Sequence, residues 1–442
     1  MNTQLKNLYQ EVQKRHPHQE LFLQAVTEVF ESITAYAEDS SFSEQDYELV
    51  RRIVEPERII SFKVVWADDA GVLQLNRGYR VQFNSALGPY KGGLRFDASV
   101  NEDVLKFLGF EQIFKNALTG LQLGGGKGGS DFNPKGKSDN EIRSFCRAFM
   151  MGLHEHIGLE KDVPAGDIGV GGREIGYLFG MYKQITNTNE GVLTGKSELF
   201  GGSCQRTEAT GHGVVYFAQA VATKHNLKLS DMKAVVSGAG NVAEYTARKL
   251  IELGATVLTL SDRNGYLYKE AGFSQKDIDA IKTCKENKNN LDSLTIAGAE
   301  YRTGTPWQTI QADAYFPCAT QNEIEEADAV EVVKHAQLIV EGANMPLTDE
   351  AAAVVQKSNT LYAPGKASNA GGVTVSGIEM AQNAGHYAWT CAQVEEELQR
   401  IMIHIHDQCV QAGTIDGKID YVVGANVAGF KRVLDATKKL GW

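Results

Sequence analysis

One segment limits the fold more than any other. In KAVVSGAGNVAEYTARKLIELGATVLTLSD (233–262) a short apolar run ends in Gly238-Ala-Gly240-Asn-Val-Ala243. An amphipathic helical pattern follows, and a second apolar run ends at Asp262. The order predicts strand, tight turn, helix and parallel strand, the repeating unit of a doubly wound α/β sheet. Each small residue has a physical reason. Gly238 makes the turn, Gly240 lets the backbone approach a pyrophosphate, and Ala243 lets the helix pack closely on the strand. The helix start at Asn241-Val242 offers unpaired N–H groups to phosphates. A bound dinucleotide is therefore expected. Gly124, Gly126 and Gly129 fit the same pattern by letter, but they follow a helix end, and SDFNP after them cannot open a helix.

The choice between NAD and NADP stays open on these residues. Asp262 stands where an acid would bond a ribose hydroxyl, which favours NAD. Ser261 and Arg263 flank it in SDRNG, and both could hold a 2′-phosphate. Lys282 and Lys285 are further cations, although a solvated helix face is the simpler account of them.

A chain of 442 residues exceeds what one hydrophobic core organises, so two domains are expected. The boundary is placed near 200, where short strands begin to alternate with helices. The first domain covers 1–200 and regains the C-terminal segment, about 425–442; the dinucleotide domain covers 201–424. Residues 1 to about 58 read as helices, and IISFKVVWADDAGVLQLNRGYRVQFN (59–84) as two strands about a DDAG turn. Helices are expected at 100–118, at 140–157 with Ile142, Phe145, Cys146, Phe149, Met150 and Leu153 on one stripe, and at 392–411. Forty-four Lys and Arg against 55 Asp and Glu give a net charge of -11, the wrong sign for nucleic acid or an anionic membrane. The N-terminus has no apolar leader core, and no run of about 18 apolar residues occurs. Six cysteines without CxxC spacing read as free thiols in a reducing cytoplasm.

GPYKGGLRF (88–96) and LGGGKGGSDF (123–132) each bed a lysine among glycines. Lys91 and Lys127 can be partly desolvated in such walls, which lowers a lysine's pKa and suits it to proton transfer near neutral pH. Lys127 is not a phosphate-loop lysine, because Gly128 follows it and Leu121 stands where that motif needs glycine. Gln112 and Lys115 share a helix face and could hold a carboxylate. Asp167, between glycines in PAGDIGVGGREIG (164–176), supplies an acid close to a helix start. No metal site is expected: His154 and His156, like His404 and His406, are two apart, and on a helix such positions point about 200° apart.

Taken together, GPYKGGLRF, FEQIFKNALTGLQLGGGKGG, PAGDIGVGGREIG, RTEATGHG, SGAGNVA, FPCATQNE, EGANMP and ASNAGGVTVSGIE resemble the hexameric glutamate dehydrogenases of the small bacterial and fungal type, in the Glu/Leu/Phe/Val dehydrogenase family. The resemblance implies an α/β substrate and oligomerisation domain, a Rossmann-type dinucleotide domain, an active-site cleft between them, and a homohexamer. It implies reversible conversion of L-glutamate to 2-oxoglutarate and ammonium. Lys91 and Ser376 would hold the side-chain carboxylate, and Gln112 and Lys115 the α-carboxylate. Lys127 would be the catalytic lysine, Asp167 the proton-transferring acid, and the Gly166 backbone a substrate contact. Thr210 and Asn241 would bind the cofactor, with Asn344 and Ala319-Thr320-Gln321 near its nicotinamide end. Ser261-Asp262-Arg263 is similar to NADP-using members, so NADP is expected in preference to NAD. His212 and Cys204-Gln205 depart from the family pattern. The alternatives are a sister enzyme using NAD, one using an apolar amino acid, which Lys91 and Ser376 argue against, and a catalytically inert nucleotide sensor, which Lys127 and Asp167 argue against.

Overall fold

The computed structural model describes residues 1–38 and 42–442; the helical expectation at 39–41 lies outside the described residues. The chain forms two compact units. The first comprises Met1–Cys204, Val375–Val394 and Asn426–Trp442, the second Gln205–Thr374 and Glu395–Ala425.

The first unit is built on a five-stranded sheet. Its strands are β1 (Arg58–Ala67), β2 (Leu73–Asn84), β3 (Tyr90–Phe96), β4 (Gly125–Ser130) and β5 (Asp162–Gly166), in the order β1-β2-β4-β3-β5. The β1–β2 hairpin turns at Asp68, whose carboxylate accepts from the Ala70 and Val72 amides. Strand β4 is antiparallel to β2 and parallel to β3, and β3 is parallel to β5. The glycine-rich segment around Lys127 is thus an interior strand, although glycine disfavours strands. The helix Asp139–Leu153 starts at a Ser138–Glu141 capping box and buries its expected stripe. There Phe145 stacks on Phe132 and meets Phe96 edge to face. It ends earlier than expected, since His154–His156 form a 3-10 turn. The helix Glu102–Leu118 is anchored by Asn101, whose side chain accepts from the Val104 amide.

The second unit holds a seven-stranded sheet made of β6 (Lys233–Val236), β7 (Thr256–Ser261), β8 (Gly265–Tyr268), β9 (Glu300–Thr303), β10 (Ala314–Phe316), β11 (Leu338–Val340) and β12 (Leu361–Ala363). The order is β12-β11-β10-β6-β7-β8-β9, parallel from β12 to β7 and antiparallel at β8 and β9. The chain winds one way from β6 to β7 and the other way to β10. The carboxyl ends of β6 and β10 therefore flank the switch point where such sheets bind ligands. The helix Cys391–Gly413 matches the expected 392–411 to within two residues. Among the described residues no helix is long and apolar enough to cross a membrane.

Candidate active site

In the first unit the register of the sheet assembles the charged groups. Leu94 of β3 lies opposite Gly128 of β4 and opposite Gly166 of β5. Arg95 and Asp167 come one residue after, and Lys127 one residue before, those three positions. Asp167 accepts from Arg95 Nε at 2.7 Å, and its other oxygen is 3.2 Å from Lys127 Nζ. Burial alone would push the Asp167 carboxyl up; Lys127 and Arg95 outweigh it and hold the group at about 2. Burial pulls the Lys127 ammonium below the ordinary lysine range, with Asp167 opposing the fall and Arg95 adding to it. Two cations thus face one carboxylate. The excess positive charge is relieved most cheaply by deprotonating Lys127, because an arginine does not release its proton. Arg95 stands inside a recognisable string, yet no role was expected of it.

Lys91 is almost fully buried, at 1% exposure, and donates to Val163 O at 2.8 Å and Thr194 Oγ1 at 2.7 Å. Thr194 was not expected in the site; it lies 103 residues away in the chain, and nothing local announces the contact. Gln112 donates to Asn116 Oδ1 at 2.7 Å, and Asn116 in turn donates to the Lys91 carbonyl at 3.0 Å. Gln112 and Lys115 are half-buried on the helix Glu102–Leu118. Gly166 closes β5, where a Cβ would lie 2.4 Å from Val170 O. Ser376 is buried on the helix Gly371–Gly385. Beneath the sheet, Arg80 binds both oxygens of Asp162 and the Gly92 carbonyl, all fully buried. That pair fastens β2 to β5 and β3.

In the second unit Gly238 turns at φ +85°, and its amide donates to Ser261 Oγ at 2.7 Å. Ser261 thus ties the end of β7 to the glycine turn. Gly240 caps the helix Asn241–Glu252 without any side-chain hydrogen bond, and a Cβ there would meet nothing within 4 Å. Backbone donors, open space and the switch point fit a dinucleotide pyrophosphate. Val242 is half-buried at the first turn. Asp262 has a structural role as well: one oxygen accepts from the Asn264 amide at 3.1 Å, the other from the Leu291 amide at 2.8 Å. Each oxygen thus helps shape the loop and keeps one further lone pair for a ligand. Arg263 is exposed beside it. Lys285 lies 3.8 Å from Asp262, and Lys282 3.4 Å from Glu244. The Ala319 and Thr320 amides donate to Glu323, whose carboxyl burial pushes up to about 7. Asn344 accepts from Asn369 at 2.8 Å, and Thr210 Oγ1 lies 2.6 Å from where a Cβ on Gly372 would stand. His212 pairs with Glu395 at 3.2 Å. Of the doubtful histidines, His154 bonds the Met151 carbonyl and His406 bonds Asp407.

Comparison with known proteins adds the following. Residues 201–441 match the model of the Glutamate/Leucine/Phenylalanine/Valine dehydrogenase family, and 56–184 match its dimerisation domain. An NADP-specific glutamate dehydrogenase from Psychrobacter sp. (strain TAD1) is 52% identical over 98% of each chain. An NAD-specific glutamate dehydrogenase from Bacteroides fragilis (strain YCH46) is 49% identical, again over 98% of each. The structure of Plasmodium falciparum glutamate dehydrogenase superposes with a TM-score of 0.97 at 48% identity, covering 99% of this chain and 95% of that one.

Proposed function

We propose that this chain, which belongs to the glutamate/leucine/phenylalanine/valine dehydrogenase family, binds the two carboxylates of L-glutamate with lysines of its first unit and moves protons with Lys127 and Asp167. The reaction is reversible oxidative deamination of L-glutamate to 2-oxoglutarate and ammonium, with NADP as the hydride carrier. The buried Lys91 ammonium carries the substrate reading. A cation at the far end of a pocket is what a dicarboxylic substrate needs, since a buried carboxylate must be paired. Ser376 would be its partner, and Gln112, Lys115 and the Gly166 backbone would hold the α-carboxylate end. When bound, the oxidised nicotinamide would supply the acceptor for the α-hydride, whose loss makes the substrate an iminium. Lys127, whose burial disfavours the charged form, accepts a proton from the water that adds to that carbon. Asp167 starts ionised at its place beside Lys127. It receives that proton and passes it to the carbinolamine nitrogen; as the C–N bond breaks and ammonia leaves, Lys127 takes the hydroxyl proton and the carbonyl of the 2-oxo acid forms. Arg95 and Lys127 stabilise negative charge as the 2-oxo acid forms.

For the cofactor, the Gly238–Gly240 turn and the helix opening at Asn241-Val242 would hold the pyrophosphate. Thr210, Asn344 and Ala319-Thr320 would lie along the nicotinamide end, and Ser261 with Arg263 would hold the 2′-phosphate. Asp262 shapes the loop that presents them. The assembly we favour is a homohexamer: Val65, Val72, Leu73 and Leu75 stand exposed on the β1–β2 edge of the matched dimerisation domain, as an interface would leave them in a single chain. Sedimentation as a monomer at working concentration would remove that assignment. Cytoplasmic residence is favoured by six cysteines that are all free thiols.

The test is the oxidation of NADPH and of NADH, side by side, with 2-oxoglutarate plus ammonium. The expected result is a rate that needs both substrates and favours NADPH. NADH preference would overturn the phosphate assignment of Ser261 and Arg263. No rate from folded protein would overturn the substrate.

A further inference from the structure

Another buried ion pair lies two residues along the chain from Thr194, the partner of Lys91. Lys196 Nζ is 2.7 Å from Glu379 Oε1, and the two side chains are 1% and 0% exposed. The same oxygen accepts from the Lys196 amide at 3.4 Å, and the other accepts from the Gly195 amide at 2.9 Å. Lys196 also donates to the Leu193 carbonyl, and its ammonium faces the Phe179 ring at 5.6 Å. One carboxylate therefore fixes three donors of the Leu193–Lys196 loop. Thr194 of that loop accepts from Lys91 Nζ, and its amide donates to Pro164 O at 3.0 Å. Glu379 sits three residues after Ser376 on the helix Gly371–Gly385, so the two share a face. Further along, Gln382 donates to Ser203 and Asn383 to the Gly201 carbonyl.

We infer that the Lys196–Glu379 pair is a positioning device for substrate choice: it locks the loop that aims Lys91 to the helix that carries Ser376, and so sets the spacing at which the side-chain carboxylate of the substrate is held. The inference rests on the glutamate reading above. A buried pair of this kind is poor value for stability, since an apolar pair of similar volume commonly serves as well or better. Two charges held here, with every carboxylate oxygen engaged, are better accounted for by geometry.

The test compares kcat/KM for glutamate and for norvaline, which has the same carbon chain without the second carboxylate. In Glu379→Gln the amide cannot accept from all three donors, and the glutamate-to-norvaline ratio is expected to fall at least tenfold, mostly through the KM for glutamate. The double variant Lys196→Met/Glu379→Leu removes both charges without leaving one stranded and protects the test against a fold defect. It is expected to show the same fall in ratio, while Lys196→Arg retains most of it. A folded double variant whose ratio stays within twofold of the parent overturns the inference. A parent enzyme that does not prefer glutamate over norvaline overturns the substrate reading instead.

Discussion

Replacing Arg95 with methionine should move the pH profile of glutamate oxidation upward. The side chain keeps an apolar stem and loses a guanidinium that lies 2.7 Å from Asp167. That cation favours the ionised form of Asp167 and disfavours the charged form of Lys127. Its loss therefore raises both pKa values. Two charges 4 Å apart interact by about 4 kcal/mol at an effective dielectric of 20. At 1.36 kcal/mol per pKa unit this corresponds to roughly 3 units, an upper bound because water enters the vacated space. A carboxylate beside an arginine is typically lowered by about 1–3 units, which sets the expected displacement. The sign is fixed by the roles. Lys127 must be neutral and Asp167 ionised at the start, so the rate climbs as pH rises through their coupled titration. Raising both pKa values moves that limb to higher pH. At a fixed pH on the limb the variant should lose about tenfold per unit of displacement. Arg95→Lys should return part of the shift. The assay is kcat/KM for glutamate from pH 5 to 10. A uniform loss at every pH, with the limb unmoved, would refute the electrostatic role and leave Arg95 as a structural contact.

Two further substitutions separate the remaining roles. Lys91→Leu removes a buried, hydrogen-bonded cation. Truncation at such a position costs about 2–5 kcal/mol, so kcat/KM for glutamate should fall by at least about 30-fold with norvaline much less affected; equal losses on both substrates would withdraw the assignment. Arg263→Ala should raise the KM for NADPH and spare NADH, whereas Asp262→Asn should lower the melting temperature with little change in the NADPH-to-NADH ratio, since that carboxylate holds the Asn264 and Leu291 amides. A ratio that responds to Asp262 and ignores Arg263 would reverse the two roles.

Much of the dinucleotide half was legible because its signals are local. A strand, a glycine turn and a helix within thirty residues dictate one another, and Gly238, Gly240 and Ser261 stand where such a unit needs them. The stripe from Ile142 to Leu153 was legible for the same reason. Contacts between segments distant in the chain were not. Arg80 and Asp162 are 82 residues apart, Arg95 and Asp167 are 72 apart, and Lys196 meets Glu379 across 183. Each is an ordinary charged residue in its own neighbourhood. Asp262 carries a second role that its position did not announce: its oxygens also hold the Asn264 and Leu291 amides.

The strand Gly125–Ser130 joins these two lessons. Glycines on both sides of Lys127 suggested a wall that could desolvate the lysine, and not a strand, from which glycine is depleted. In the sheet they are there to exclude bulk. A Cβ on Gly125 would lie 2.5 Å from Ile113 of the Glu102–Leu118 helix, and one on neighbouring Gly92 only 1.7 Å from the Gly126 carbonyl. Removing those carbons lets the strands and the helix close around one side chain. Lys127 is left 5% exposed, with its ammonium against Asp167 and water largely shut out. Desolvation is the largest influence lowering its pKa, so the glycines do chemical work through packing alone. The lysine's reactivity is thus built by its neighbours' lack of side chains: four glycines in one strand let burial and a neighbouring arginine both disfavour its charged form.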